Sequence, residues 1–305
     1  MPIAKYSEIE EIFDTYSECK NEDSEVRTSL KYLDYDSEDN ESEEDNDEEQ
    51  VDDLESDEEG DYELIIDFKD VWVSDFLENF NKQYRFPHMK IIHIDHLGDF
   101  NLDMRTLCMS TITSWDELYI NQKALPKYIK SKVRIGSYLD NIAEVIPKVK
   151  ETLLLGYFAI NSRQFSTIIK AACGVNLLSF NCCQLNFKND SLNETSTTID
   201  SHKETPSTPS QKSSETTSTS EDTMVKLDLG DKEYQIQALA FNGWGKGFNG
   251  GALDVEGMKH ILKEIGRSTM KDSLKQLCIT WCDLSKETVG EILIENGLDN
   301  VKIWE

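Results

Sequence analysis

Two eleven-residue stretches, far apart in the chain, place their apolar residues by one rule. Leu274, Leu277, Ile279, Cys282 and Leu284 stand at relative positions 1, 4, 6, 9 and 11, and Val175, Leu178, Phe180, Cys183 and Leu185 repeat that spacing. The central pair in each, two residues apart, has the period of a strand, whose alternate side chains share a face. A short strand followed by a turn cannot bury its apolar side alone. It must stack on a neighbour of the same kind, so its recurrence constrains the chain to a repeated architecture.

Looser versions of the unit run through the rest of the sequence: Met89, Ile92, Ile94, Leu97 and Phe100; Trp115, Leu118 and Ile120; Leu153, Leu155, Phe158 and Ile160; Ile236, Leu239, Phe241 and Trp244; and Leu298, Val301 and Ile303. Ile94 and Ile120 are 26 residues apart, and Leu155 and Phe180 are 25 apart. Between these units the apolar period lengthens to that of a helix over 139–149, 162–172, 255–265 and 287–295. Upstream, 64–68 reads as a strand and 71–84 as an amphipathic helix. Residues 6–18 read as a short helix with Ile9, Ile12 and Phe13 on one side, either docked as a cap or free as a recognition helix. A hairpin arm is expected over 225–229, turning at Gly230 and Asp231.

The spacing around Cys183 and Cys282 resembles the leucine-rich repeat signature, L-x-x-L-x-L-x-x-N/C-x-L. The chain is similar to the ribonuclease-inhibitor-like and cysteine-containing classes of that family over residues 87–305. The resemblance implies an α/β fold: a solenoid with a curved parallel sheet on its concave side and helices on its convex side. The expected organisation is a short amphipathic helix (1–20), an acidic segment (21–62), an N-terminal cap (63–86) and the repeat domain (87–305), interrupted by an insertion at 188–223.

Charge divides the chain unevenly. Residues 34–63 hold 19 Asp and Glu with no Lys or Arg, out of a formal net charge of −28. Such a run self-repels and solvates; it also offers a dock for basic proteins, and Ser42 and Ser56, each followed by acid, are candidate phosphorylation sites. A net charge of −28 argues against direct nucleic-acid binding. The Ser/Thr-rich tract 188–223 has too little apolar content to offset its ordering entropy, so disorder is expected there and in the acidic run. The start, MPIAKYSEIEEIF, lacks a secretory pattern, and no stretch is long and apolar enough to span a bilayer. With seven irregularly spaced cysteines, this predicts a cytoplasmic or nuclear protein without membrane contact.

The repeat rule sends the L-x-L residues inward and those between and just after them to the concave face. It nominates Tyr119, Asn121, Tyr157, Asn181, Asn242, Cys278, Thr280 and Trp281 as partner-binding residues, with Tyr119, Tyr157 and Trp281 as rigid aromatic anchors. His93, Asp95 and His96 suggest a metal site, but strand alternation splits them between faces and no distant fourth ligand matches. The glycine-rich stretch 243–251 lacks the Lys-Ser/Thr ending of a phosphate loop, and no nucleophile motif is present. The expectation is a non-enzymatic scaffold, without cofactor or metal, that binds an unidentified protein on the concave face. The alternatives are an acidic-tailed histone-binding or chaperone module and a substrate-recognition subunit of a ubiquitin ligase.

Overall fold

The computed structural model describes residues 2–17, 28–33, 61–68, 70, 72–95, 114–122, 133–188, 224–243, 253–280, 282 and 284–305. The tract 34–60 with Ser42 and Ser56, the tract 189–223, His96, Trp244 and Trp281 lie outside the described residues.

Among the described residues, nine strands form one mixed sheet, and eight of them run parallel. In chain order they are β1 (Ser29–Tyr32), β2 (Tyr62–Asp67), β3 (Met89–Asp95), β4 (Trp115–Asn121), β6 (Val149–Gly156), β8 (Leu177–Asn181), β10 (Ala238–Asn242), β11 (Gln276–Cys278) and β12 (Lys302–Trp304). Their order across the sheet is also their order along the chain. β1 alone is antiparallel, closing the β2 edge with Ser29 opposite Ile65. The three remaining strands, β5 (Val133–Arg134), β7 (Phe158–Asn161) and β9 (Gln184–Asn186), make a second parallel sheet. β6 thus leads through a corner at Tyr157 into β7, and β8 through Cys182 and Cys183 into β9.

Seven α-helices stand among the described residues: α1 (Tyr6–Ser17), α2 (Val73–Gln83), α3 (Leu139–Val145), α4 (Ser162–Ala171), α5 (Val255–Arg267), α6 (Met270–Ser273) and α7 (Lys286–Glu295). Their starts follow from local chemistry. Asn161 and Gln164 form a reciprocal capping box on α4, and Asp254 and Ser285 accept from the third residue of α5 and α7. Each longer helix buries one stripe, such as Phe165, Ile168 and Ile169 on α4 or Met258, Ile261, Leu262 and Ile265 on α5. These stripes share one core with the alternate strand residues Leu64, Ile66, Ile92, Ile94, Leu118, Ile120, Leu153, Leu155, Leu178, Phe180, Leu239, Phe241 and Leu277. Phe180 and Phe241 stack across adjacent strands at 5.7 Å.

The two motif copies close their turns by the same bond. The Cys183 thiol donates to the Leu155 carbonyl at 3.1 Å, and the Cys282 thiol donates to the Phe241 carbonyl at 3.0 Å. In both, the sulfur reaches back to the apolar row of the preceding strand. That satisfies a carbonyl near the ladder's end, which would otherwise be costly to bury. Cys183 is fully buried as expected, whereas Cys282 is half-buried.

Some expectations need revision. The segment 225–229 is not a strand: it runs extended against α4, with Leu227 and Leu229 buried, the Asp228 N–H donating to Ser166 Oγ at 3.0 Å and Lys170 pairing with Asp228 at 2.9 Å. Its backbone pairing stops at the antiparallel Lys188–Met224 bridge and the Val225 N–H donated to the Phe187 carbonyl at 3.0 Å, and its apolar residues pack against the helix. The turn does lie at Gly230, with φ +66°, and the Asp228 side chain accepts the Gly230 N–H. The helix expected over 139–149 ends earlier, at Val145; a short 3₁₀ turn, Ile146–Lys148, containing Pro147, follows before β6 starts at Val149. β1 falls inside the stretch 21–62 read as acidic segment. Of the two options for the first helix, docking is the one found. Ile9 and Phe13 are buried, Phe13 packs on Phe76 of α2 at 4.8 Å, and Tyr6 stacks on Tyr62 at 3.7 Å.

Candidate functional site

The strand residues that alternate with the core row form the other face of the main sheet. Parallel register aligns them into three rows. The first runs through Glu63, Ile91, Glu117, Thr152, Leu177, Ala238, Gln276 and Lys302. The second runs through Ile65, His93, Tyr119, Leu154, Ser179, Ala240, Cys278 and Trp304. The third, at the C-terminal ends of the strands, runs through Asp67, Asp95, Asn121, Gly156, Asn181 and Asn242. Ile65, Ile91, Leu154 and Leu177 are only half-buried here, while their neighbours on the core side are fully buried. From β2 to β11 the rows extend about 30 Å, at about 4.8 Å per strand.

The face changes character along its length. Over β2 to β4 it is acidic and aromatic. His93 lies 2.7 Å from Glu63, its ring is 4.7 Å from that of Tyr119, and the Tyr119 hydroxyl donates to Glu117. Burial, reinforced by the Glu117 hydrogen bond and charge, pushes the Tyr119 phenol well above its ordinary range. The neighbouring lysines go elsewhere: Lys90 and Lys150 approach Asp116 at 3.2 and 3.6 Å, where the β4 register shifts between Trp115 and Glu117. Over β8 to β11 the second and third rows carry small or polar side chains, Ser179, Ala240, Cys278, Asn181 and Asn242, with Ser179 and Ala240 buried. The far edge carries Lys302 and the 58% exposed Trp304.

Beyond the third row lies a corner of hydrogen-bonded turns. Gln122 N–H donates to the Gly156 carbonyl, Tyr157 N–H to Asn181, Cys182 N–H to Asn242 and Gly243 N–H to Thr280, all at 2.6 to 2.9 Å. Strand alternation alone would put Tyr157 on the side of Leu155. Its φ of +68° turns it out of that order, and Cys182 is left-handed too, at +51°. An aromatic residue seldom adopts this region, and such strain concentrates at functional sites. Burial, then the adjacent Cys182 and Asp95, raise the Tyr157 phenol. A Cβ on Gly156 would collide with the Asn121 side-chain oxygen, so a larger residue there requires that amide to shift. That oxygen is buried and has no hydrogen-bond partner among the described residues.

Of the nominated residues, Tyr119, Asn121, Asn181, Asn242 and Cys278 therefore share this face, Tyr157 stands at its corner, and Thr280 follows β11. Cys278 Sγ lies 3.0 Å from the Thr280 hydroxyl and 3.7 Å from Asn242 Oδ1, so these three form a small polar group. Trp281 is outside the described residues. The pair His93 and Asp95 is on the face, with His93 held by Glu63. The residues missed by the sequence reading are Glu63, Ile65, Ile91, Glu117, Leu154 and Trp304. The alternation around Leu64 and Ile66 carried the signal that β2 is a full member of the sheet.

Among the described residues, no group of three or more His, Cys, Asp and Glu is placed to hold a metal ion, and no helix is long and apolar enough to cross a membrane. Comparison of the chain with protein-family models, with curated proteins and with solved structures returned no match.

Proposed function

We propose that this chain is a leucine-rich repeat solenoid, with the nine-stranded sheet on its concave side, and that it works as a non-enzymatic scaffold docking a protein partner on that face. The observation that carries the reading is the three-row face itself. Strands advance in chain order, the helical stripes enter one core, and the opposite side leaves half-buried Ile, Leu, Tyr and His side chains in register. The equivalent thiol-to-carbonyl bonds of Cys183 and Cys282 support a repeated unit. Rigid aromatic and aliphatic groups on a preformed sheet suit protein recognition, because little side-chain freedom is lost on contact.

A photo-crosslinking amino acid at Thr152, on the face, compared with one at the exposed Lys263 of α5 tests this in cells. The expected result is a discrete protein adduct from position 152 and none from 263. Adducts from 263 alone, or from neither position, count against the face.

A further inference from the structure

The face just described is not neutral, and its charge selects a partner. Resting on the reading that this face docks a protein, we infer that its β2 to β6 part receives arginine or lysine side chains of a basic segment. Glu63 and Glu117 stand in the first row, and Asp95 stands in the third beside the buried Asp67 of β2, with His93 the one basic side chain in the three rows there. Glu63 is taken by His93 at 2.7 Å, and Glu117 accepts from Tyr119. Asp95 is half-buried and, among the described residues, has no ion pair. The first and third rows are about 13 Å apart along the strands, so a basic segment laid along the face meets carboxylates at both ends of it.

The groups around Asp95 fit a cation in shape as well as sign. Asn121, its direct neighbour on β4, carries the partnerless side-chain oxygen. A guanidinium or ammonium donates to both the carboxylate and, once the Asn121 amide turns outward, to its oxygen. The Tyr119 ring stands on the same strand as Asn121, and Tyr157 is close enough to feel the Asp95 charge. The sequence adds range: the run of 19 acidic residues over 34–63 leads directly into β2, at the acidic end of the face. Its field steers basic partners toward that end.

The test uses the full chain and two probes, an acetylated hexa-arginine amide and its hexa-glutamate counterpart, at near-physiological salt. Since the acidic run also attracts the arginine peptide, the readout is hydroxyl-radical labelling of Tyr119 and Tyr157, not total binding. The arginine peptide should protect both tyrosines and the glutamate peptide neither, with protection fading as salt rises. Asp95→Asn, alone and with Glu117→Gln, should raise the half-protection concentration about tenfold or more with the melting temperature kept. Equal labelling with and without the arginine peptide overturns the inference, as does protection that the folded variants retain. A partner crosslinked at Thr152 whose binding ignores Asp95→Asn removes the cation site and leaves the docking face standing. The lack of any such adduct removes the docking face itself.

Discussion

Tyr157 provides a test in which glycine and alanine should reverse their usual order. In a strand or helix interior, alanine is the more stabilising residue, because glycine leaves more backbone freedom in the unfolded chain. Tyr157 sits at φ +68° between β6 and β7, where a Cβ crowds the backbone at a cost of about 1–2 kcal/mol. Both Tyr157→Ala and Tyr157→Gly remove the half-buried ring, worth about 1–2 kcal/mol if half its burial counts. Only the glycine variant also relieves the left-handed strain. Tyr157→Ala should therefore lose about 1–2 kcal/mol, while Tyr157→Gly stays within about 1 kcal/mol of the parent. Urea unfolding of the full chain followed by circular dichroism measures the difference. Cys182, at φ +51°, provides a second position with the same expected order. If alanine is as stable as glycine at 157, the corner is not strained, and the argument linking its backbone to function fails.

Other perturbations address the packing and the titrating groups. Gly156→Ala drives a methyl into the Asn121 amide and should cost about 1–3 kcal/mol, largely recovered in the double variant with Asn121→Ala; an undiminished loss in the double variant would place the clash elsewhere. Leu277→Asp, at a fully buried position of β11, forfeits about 1.5–3 kcal/mol of burial and introduces an unpaired charge, so it should unfold the C-terminal units, whereas the exposed Lys275→Asp should leave the melting temperature within a degree or two; equal losses would refute the register. Burial raises Tyr119 and Tyr157 and, with Cys173 and Asp228, holds Tyr234 up at about 12, so the stability they contribute is complete below the ordinary tyrosine range near pH 10 and declines as pH climbs toward the folded values. Melting temperatures between pH 9 and 12 should fall less steeply in Tyr234→Phe, and an unchanged slope would remove that contribution.

Much of the architecture was legible because burial writes a period into the sequence. Ile92 and Ile94, Leu118 and Ile120, and Leu153 and Leu155 each alternate with less buried neighbours, and their strands stand where that alternation puts them. Helices α4, α5 and α7 carry both a stripe and a capping residue, and their bounds fall within about two residues of the expected ones. Other parts depend on contacts that no local window contains. β1 is a strand because β2 offers it an edge, and Leu227 and Leu229 are buried because α4 is beside them. At the site, alternation found Tyr119, Asn121, Asn181 and Asn242, but Tyr157 reaches the corner through a backbone torsion that a side-chain pattern does not encode. The acidic end of the face needed three strands in register before Glu63, Asp67, Asp95 and Glu117 were seen on one side of the sheet.

The central claim is that the partner contacts the sheet face, and affinity measured from both sides of the molecule tests it most directly. For the protein crosslinked at Thr152, the dissociation constant should be compared among the intact chain, Leu154→Asp on the face and Val255→Asp at the exposed start of α5. The face variant should weaken binding about tenfold or more while its melting transition is retained, and the helix-side variant should stay within about twofold. The reverse order, with binding lost at Val255 and kept at Leu154, would contradict the account.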